Sequence, residues 1–289
     1  MGTPFEETTT VRAVGPGRWA ADVDPGWDLR PVPQGGVVTA VALRALAAEL
    51  DDPTQRLRTL HTTFAAQVAS GPVEVEAEVL RHGRTMSQVR GELRNPGAAR
   101  GHLTTAVFGA GRRGFAFTDL APPTDVPPPD ACPSFRDPPP PGVPTFDPMP
   151  FWAGRVEGRL AAGLPPWDAS SPRERAERCQ WYRFDEPPVR ADGTLDPLGL
   201  VVLADVMPGA VGERVGPSDE MWFAPSVDLT VHLLGEPWRS PWVLGHNTAR
   251  HAGDGYASVD MALWDLGPGL DDPPRLLAYA TQVCLFTFA

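Results

Sequence analysis

The sequence predicts an α+β fold in which antiparallel sheets each wrap one central helix, and it predicts that unit twice. Three observations carry the prediction. Segments rich in β-branched and aromatic residues, bounded by turn formers, recur along the chain. A helical stretch near the N-terminus is apolar almost all round, as only a helix enclosed by other structure can be. The strand pattern also repeats across a proline-rich joint, which points to an internal duplication.

In chain order, Thr8–Val14 and Arg18–Val23 read as two short strands joined by Gly15-Pro-Gly17. From Arg30 to Leu50 the Ala and Leu content after Gly35-Gly36 predicts a helix ended by Asp51-Asp-Pro53, with only Arg44 and Glu49 charged in its body. Strands follow over Thr59–Ala66, Val73–Arg81, Thr85–Arg94 and His102–Phe108. Asp119–Pro150 carries 13 prolines in 32 residues, so it can form neither a helix nor a central strand. It reads as a stiff connector, and Phe135, Phe146, Met149, Phe151 and Trp152 predict that it packs along the surface. The order then recurs: strands at Val156–Leu160 and Arg178–Phe184, and an apolar helix over Asp196–Met207 opened by Asp-Pro. Four strands close the chain, Ser226–Leu234, Trp242–Arg250, Tyr256–Trp264 and Leu276–Phe286.

A shift of 169 residues aligns Thr59–His82 with Asp228–His251 without a gap, matching Leu60 with Leu229, Pro72 with Pro241 and Arg81 with Arg250. One inserted residue carries the match on through Val89 with Val259 and Leu93 with Leu263. The expected organisation is therefore an N-terminal unit over 1–118, the connector over 119–150 and a C-terminal unit over 151–289.

Several classes are excluded or disfavoured. Net charge is −11 and no basic run is present, so the electrostatic footprint of a nucleic-acid binder is missing. No apolar run approaches the roughly 18 residues of a membrane span, and the N-terminus lacks a basic start and an apolar core. The expectation is a soluble, cytoplasmic protein. Cys132, Cys179 and Cys284 are too few and too far apart for a disulfide framework or zinc site. No Gly-x-Ser-x-Gly elbow, nucleotide-binding glycine pattern or His-x-x-x-His spacing occurs, which argues against those hydrolases and against any cofactor.

Gln282 is the informative polar residue, because it sits among Ala, Val, Cys, Leu and Phe, where an unpartnered amide costs about 1–3 kcal/mol. Asp228 alone reads as readily as a strand-edge group, and Thr248 alone is simply a residue at home in strands. His82 and His251 occupy equivalent hairpin turns, which favours structural roles; His61 and His232 lie on strands. Gly35-Gly36 reads either as a tight turn before a buried helix or as a place where a ligand approaches unpaired backbone N–H groups.

A central helix in an antiparallel sheet, repeated once, is how two fused hotdog units look, and here the chain resembles the acyl-CoA thioesterase II family of double-hotdog thioesterases. The resemblance covers most of both halves outside the connector. It implies an Asp near the start of the strand after the second helix, a Thr on the next strand and a Gln on the last, which together orient the water that attacks the thioester. The matching positions are Asp228 in Ser226-Val-Asp-Leu-Thr-Val-His232, Thr248 in His246-Asn-Thr-Ala-Arg250, and Gln282 in Ala280-Thr-Gln-Val283. The chain departs from the family in having Val37 after Gly35-Gly36 and Leu229 after Asp228. That leaves the backbone N–H groups of Gly35, Gly36 and Val37 as the expected oxyanion donors. The implied activity is hydrolysis of acyl-CoA to free acid and CoA without a cofactor. Arg84, Arg112 and Arg113 are candidates for the CoA phosphates, and homo-oligomer formation stays open. Two further readings stay open: a hotdog that binds acyl groups without turnover, and a hotdog hydratase or dehydratase.

Overall fold

The computed structural model describes residues 2–29, 31–143, 147, 149–165, 167–168, 174–218, 220–235, 238–267 and 273–288. Where a strand is expected from Thr8, the chain instead opens with a helix, α1 (Pro4–Thr9). The reason is local: Thr3 accepts from the Glu6 N–H while Glu6 reaches back to the Thr3 N–H, and Pro4 supplies the first helical residue. This capping box outweighs the strand propensity of the three threonines that follow. β1 (Arg12–Gly15) and β2 (Arg18–Val23) then form a hairpin, and α2 (Gly35–Leu50) runs as expected to a left-handed Asp51.

β3 (Arg56–Phe64), β4 (Gly71–Arg81), β5 (Met86–Arg94) and β6 (His102–Gly109) complete the first half. The second contains α3 (Pro150–Gly154), β7 (Val156–Ala162), β8 (Glu177–Phe184), α4 (Leu198–Ala204), α5 (Gly209–Val215) and β9 (Trp222–Phe223). It closes with β10 (Asp228–Leu233), β11 (Val243–Gly253), β12 (Tyr256–Asp265), β13 (Arg275–Leu285) and β14 (Thr287–Phe288).

Twelve of the strands make one antiparallel sheet in the order β1-β2-β4-β5-β6-β3-β10-β13-β12-β11-β8-β7. Read outward from β3 and β10, the two halves follow the same sequence of elements. At the centre His61 pairs with Thr230, residues 169 apart, which is the interval at which the sequence repeats. The β4–β5 and β11–β12 hairpins also carry register shifts within one residue of matching places, Val79/Arg81 and Ala249/His251.

α2 is buried from Gly36 to Leu46, Arg44 apart, and again at Leu50, as its largely apolar sequence requires, while Ala47 and Ala48 are exposed. Its Arg44 pairs with Asp196 of the other half, and Glu49 accepts from the Trp19 indole at 3.0 Å. The helix packs on β4, β5 and, across the middle of the molecule, on the fully buried α4.

Around Cys132 the connector lies against the sheet face that α2 and α4 do not occupy. Cys132 packs with Cys179, Trp181, Leu244, Ala262 and Trp264, and the Trp181 indole donates to the Pro127 carbonyl at 2.9 Å. Phe135 meets Trp152 edge-on, and Phe151 is buried, so these three aromatics dock as expected, whereas Met149 is exposed. Phe146 lies outside the described residues.

Candidate active site

The stretch expected to be one helix, Asp196–Met207, is broken. Pro208 has no N–H for the carbonyl of Ala204, and its ring disfavours helical geometry in the residue before it. α4 therefore stops at Ala204, and Asp205 sits beyond its end at φ −95° and ψ 46° before α5 begins. The break aims a carboxylate at the start of α2, and Asp205 is only 6% exposed.

Donors from three separate parts of the chain converge on that carboxylate. Gly36 N–H donates to Oδ2 at 2.8 Å, and the Gly35 N–H adds a second backbone bond. Gln282 donates its amide to Oδ1, as does the Ser226 hydroxyl at 3.2 Å, and the same amide donates to Ser226 Oγ at 2.7 Å. Gln34, the N-cap of α2, accepts from Val37 N–H at 2.8 Å and donates to the carbonyls of Val202 and Asp205, both at 2.9 Å. The unpaired donors of one helix start and the unpaired acceptors of another helix end thus satisfy each other.

This contact needs glycine. A Cβ on Gly36 would lie 2.6 Å from the Val201 carbonyl oxygen, and one on Gly35 would lie 2.8 Å from Asp205 Oδ2 and 2.9 Å from the Phe64 ring. Phe64 forms the half-buried wall beside the carboxylate and is met edge-on by His102 at 4.8 Å.

Burial pushes the Asp205 carboxyl up to about 6, against the opposing bonds from Gln282, Gly36, Ser226 and Gly35. Burial pushes His102 down to about 4, so it is neutral at pH 7. A carboxylate that changes charge near pH 6 inside an ordered donor cluster is equipped to take a proton from water.

Of the residues expected at the site, Gln282 is in this group and Asp228 and Thr248 are not. Thr248 is in register with Asp260, which is in register with Thr281, so Thr248 lies on the sheet face opposite Gln282. Asp228 alternates onto the Thr230 face, and its Oδ1 accepts from the Val283 N–H at 2.7 Å. It ties the segment holding Ser226 to the strand holding Gln282. Gly35, Gly36 and Val37 are at the start of α2, but the N–H groups of Gly36 and Val37 are engaged by Asp205 and Gln34. Arg84, Arg112 and Arg113 are exposed on connecting segments.

Asp205, Ser226 and Gln34 escaped the sequence reading. The criterion that selects Gln282, a lone polar group in apolar surroundings, applies equally to Asp205 in Leu200-Val-Val-Leu-Ala-Asp-Val-Met207. Ser226 and Gln34 carry no such signal.

The chain has a hotdog fold. A hotdog protein of unknown function from Alicyclobacillus acidocaldarius superposes with a TM-score of 0.81 at 25% identity, covering 99% of both chains. An acyl-CoA thioesterase II from Mycobacterium marinum shares that fold, with a TM-score of 0.72 at 19% identity over 99% of this chain and 98% of its own. No curated protein matches the sequence. The acyl-CoA thioesterase N-terminal domain matches residues 23–109 and the acyl-CoA thioesterase C-terminal domain residues 129–286. The chain belongs to the acyl-CoA thioesterase family and is a thioester hydrolase.

Proposed function

We propose that the chain hydrolyses acyl-CoA to the free carboxylic acid and CoA with Asp205 as the base, and Gln282 and Ser226 as the groups that hold the attacking water. The role read at first for Asp228 passes to Asp205, and that of Thr248 to Ser226. The observation that carries the reading is the buried Asp205 carboxylate, held by Gln282, Ser226 and the start of α2.

The water oxygen attacks the thioester carbonyl carbon while its proton passes to Asp205. The tetrahedral intermediate then expels the CoA sulfur, which takes the proton back. Negative charge sits on the Asp205 carboxylate before attack and, once that group has taken the proton, on the former carbonyl oxygen. The N–H groups at the start of the 16-residue α2 hold Asp205 and Gln34, so the contribution of Gly35–Val37 to oxyanion stabilisation is the positive end of the helix dipole next to Asp205.

The same reading organises the chain as two hotdog units, 1–118 and 151–289, joined by the connector over 119–150. The mirrored strand order and the 169-residue separation of His61 from Thr230 support it. Acyl-CoA is the substrate class. Among the described residues no helix is long and apolar enough to cross a membrane.

The test is thiol release from short-, medium- and long-chain acyl-CoAs by the wild type, Asp205→Asn, Gln282→Ala and Asp228→Asn. Wild type should turn over at least one length class, and the first two variants should lose about 100-fold or more. Asp228→Asn should keep most of its rate, because an amide oxygen still accepts from Val283. Equal damage from Asp228→Asn would return the base to Asp228.

A further inference from the structure

The Gln282 amide can lie either way round, and only one way works. With Nε2 toward Asp205 and Ser226 it donates twice; turned over, its carbonyl oxygen would face a carboxylate. In the productive orientation Oε1 faces the thiol of Cys284, two residues along β13, with Sγ 3.3 Å away. Cys284 is wholly buried and next to the site rather than in it.

We propose that Cys284 is a positioning residue whose thiol proton fixes the Gln282 amide with its NH2 toward Asp205. This rests on reading Gln282 as the amide that holds the water.

Three observations support the assignment. First, Gln282 is almost fully buried, so its carbonyl oxygen must find its donor inside the protein. Second, the donor must stay protonated; burial, reinforced by the charges of Asp205 and Asp228, pushes the thiol up to about 12, so it remains an S–H donor throughout the working range. Third, Cys284 is held in place by its bridge to Ser226, while Val227 N–H bonds the Val283 carbonyl at 2.7 Å. The thiol, the amide and the serine therefore move as one piece.

A thiol is a weak donor, but it needs only to bias a choice between two orientations that differ by a carboxylate contact. Without it the amide is held from the Asp205 and Ser226 side alone, and its hydrogen bond to the carboxylate weakens.

The test follows the titration of Asp205 by carboxyl 13C NMR, together with the pH profile of kcat/KM. It uses Cys284→Ser, which keeps a donor, and Cys284→Ala and Cys284→Val, which do not; the valine refills the volume should the alanine variant fail to fold. The Asp205 midpoint should rise by about half to one unit in the variants without a donor and stay near the wild-type value in Cys284→Ser. The acid limb of kcat/KM should move with it. Unchanged midpoints in folded Ala or Val variants, or equal shifts in all three, overturn the proposal. The titration does not depend on turnover, so loss of the proposed function would be read separately, from thiol release by the wild type.

Discussion

Asp205→Asn separates what the buried carboxylate does for the reaction from what it costs the fold. In the folded chain the carboxyl lies at about 6 against an ordinary 3.8, a difference of a little over two units. At 1.36 kcal/mol per unit this corresponds to about 3 kcal/mol. The folded state holds the proton more tightly than the unfolded state. The stabilising contribution is therefore complete below the ordinary carboxyl value and lost as pH rises through about 6. Asparagine has no such proton. Urea unfolding of both proteins at pH 4, 5, 6 and 7.5 should show the wild type losing up to about 3 kcal/mol relative to the variant across that span, whatever the offset between them. Thiol release from acyl-CoA should meanwhile fall by about 100-fold or more in the variant. In the wild type it should fall as pH drops through about 6, where the base becomes protonated. A flat difference curve, or a wild type that gains relative stability with rising pH, would refute the reasoning about burial. An active variant would refute the reasoning about the base.

Gln282→Ala and Thr248→Val form an opposed pair. The first should lower kcat about 100- to 1000-fold, whereas the second, on the far face of the sheet, should leave kcat unchanged and stability within about 0.5 kcal/mol. Gly36→Ala forces a methyl into the Val201 carbonyl and should cost about 1–3 kcal/mol or more in chemical denaturation, because a helix backbone cannot step aside. Trp181→Phe removes the donor to Pro127 and should cost about 1 kcal/mol, with limited proteolysis of the connector accelerated.

The strands were legible because their residues alternate or stay apolar over enough length to declare a face, and α2 because nothing polar interrupts it. α1 was hidden by threonines whose strand propensity a capping box overrode. The site was half legible. Gln282 stood out against its apolar neighbours, but its partners did not, because what brings them to it is three-dimensional. One proline decides where α4 ends, and register decides which face Thr248 and Asp228 occupy. Asp228 and Ser226 are two residues apart on one segment, and the side of the strand separates their roles.

The Gly36–Asp205 bond has the same 169-residue span as the His61–Thr230 pair. On the proposed tandem organisation, and with that offset carried back to the helices, one position of the repeat holds a bare backbone donor in one copy and a buried acid in the other. Neither could serve with its own twin. Two N-terminal units together would offer N–H groups with nothing to receive them, and two C-terminal units would press two carboxylates into one dry space. On that organisation, one chain carrying both units lets each supply a different half of the contact, so neither half could keep the site without the other.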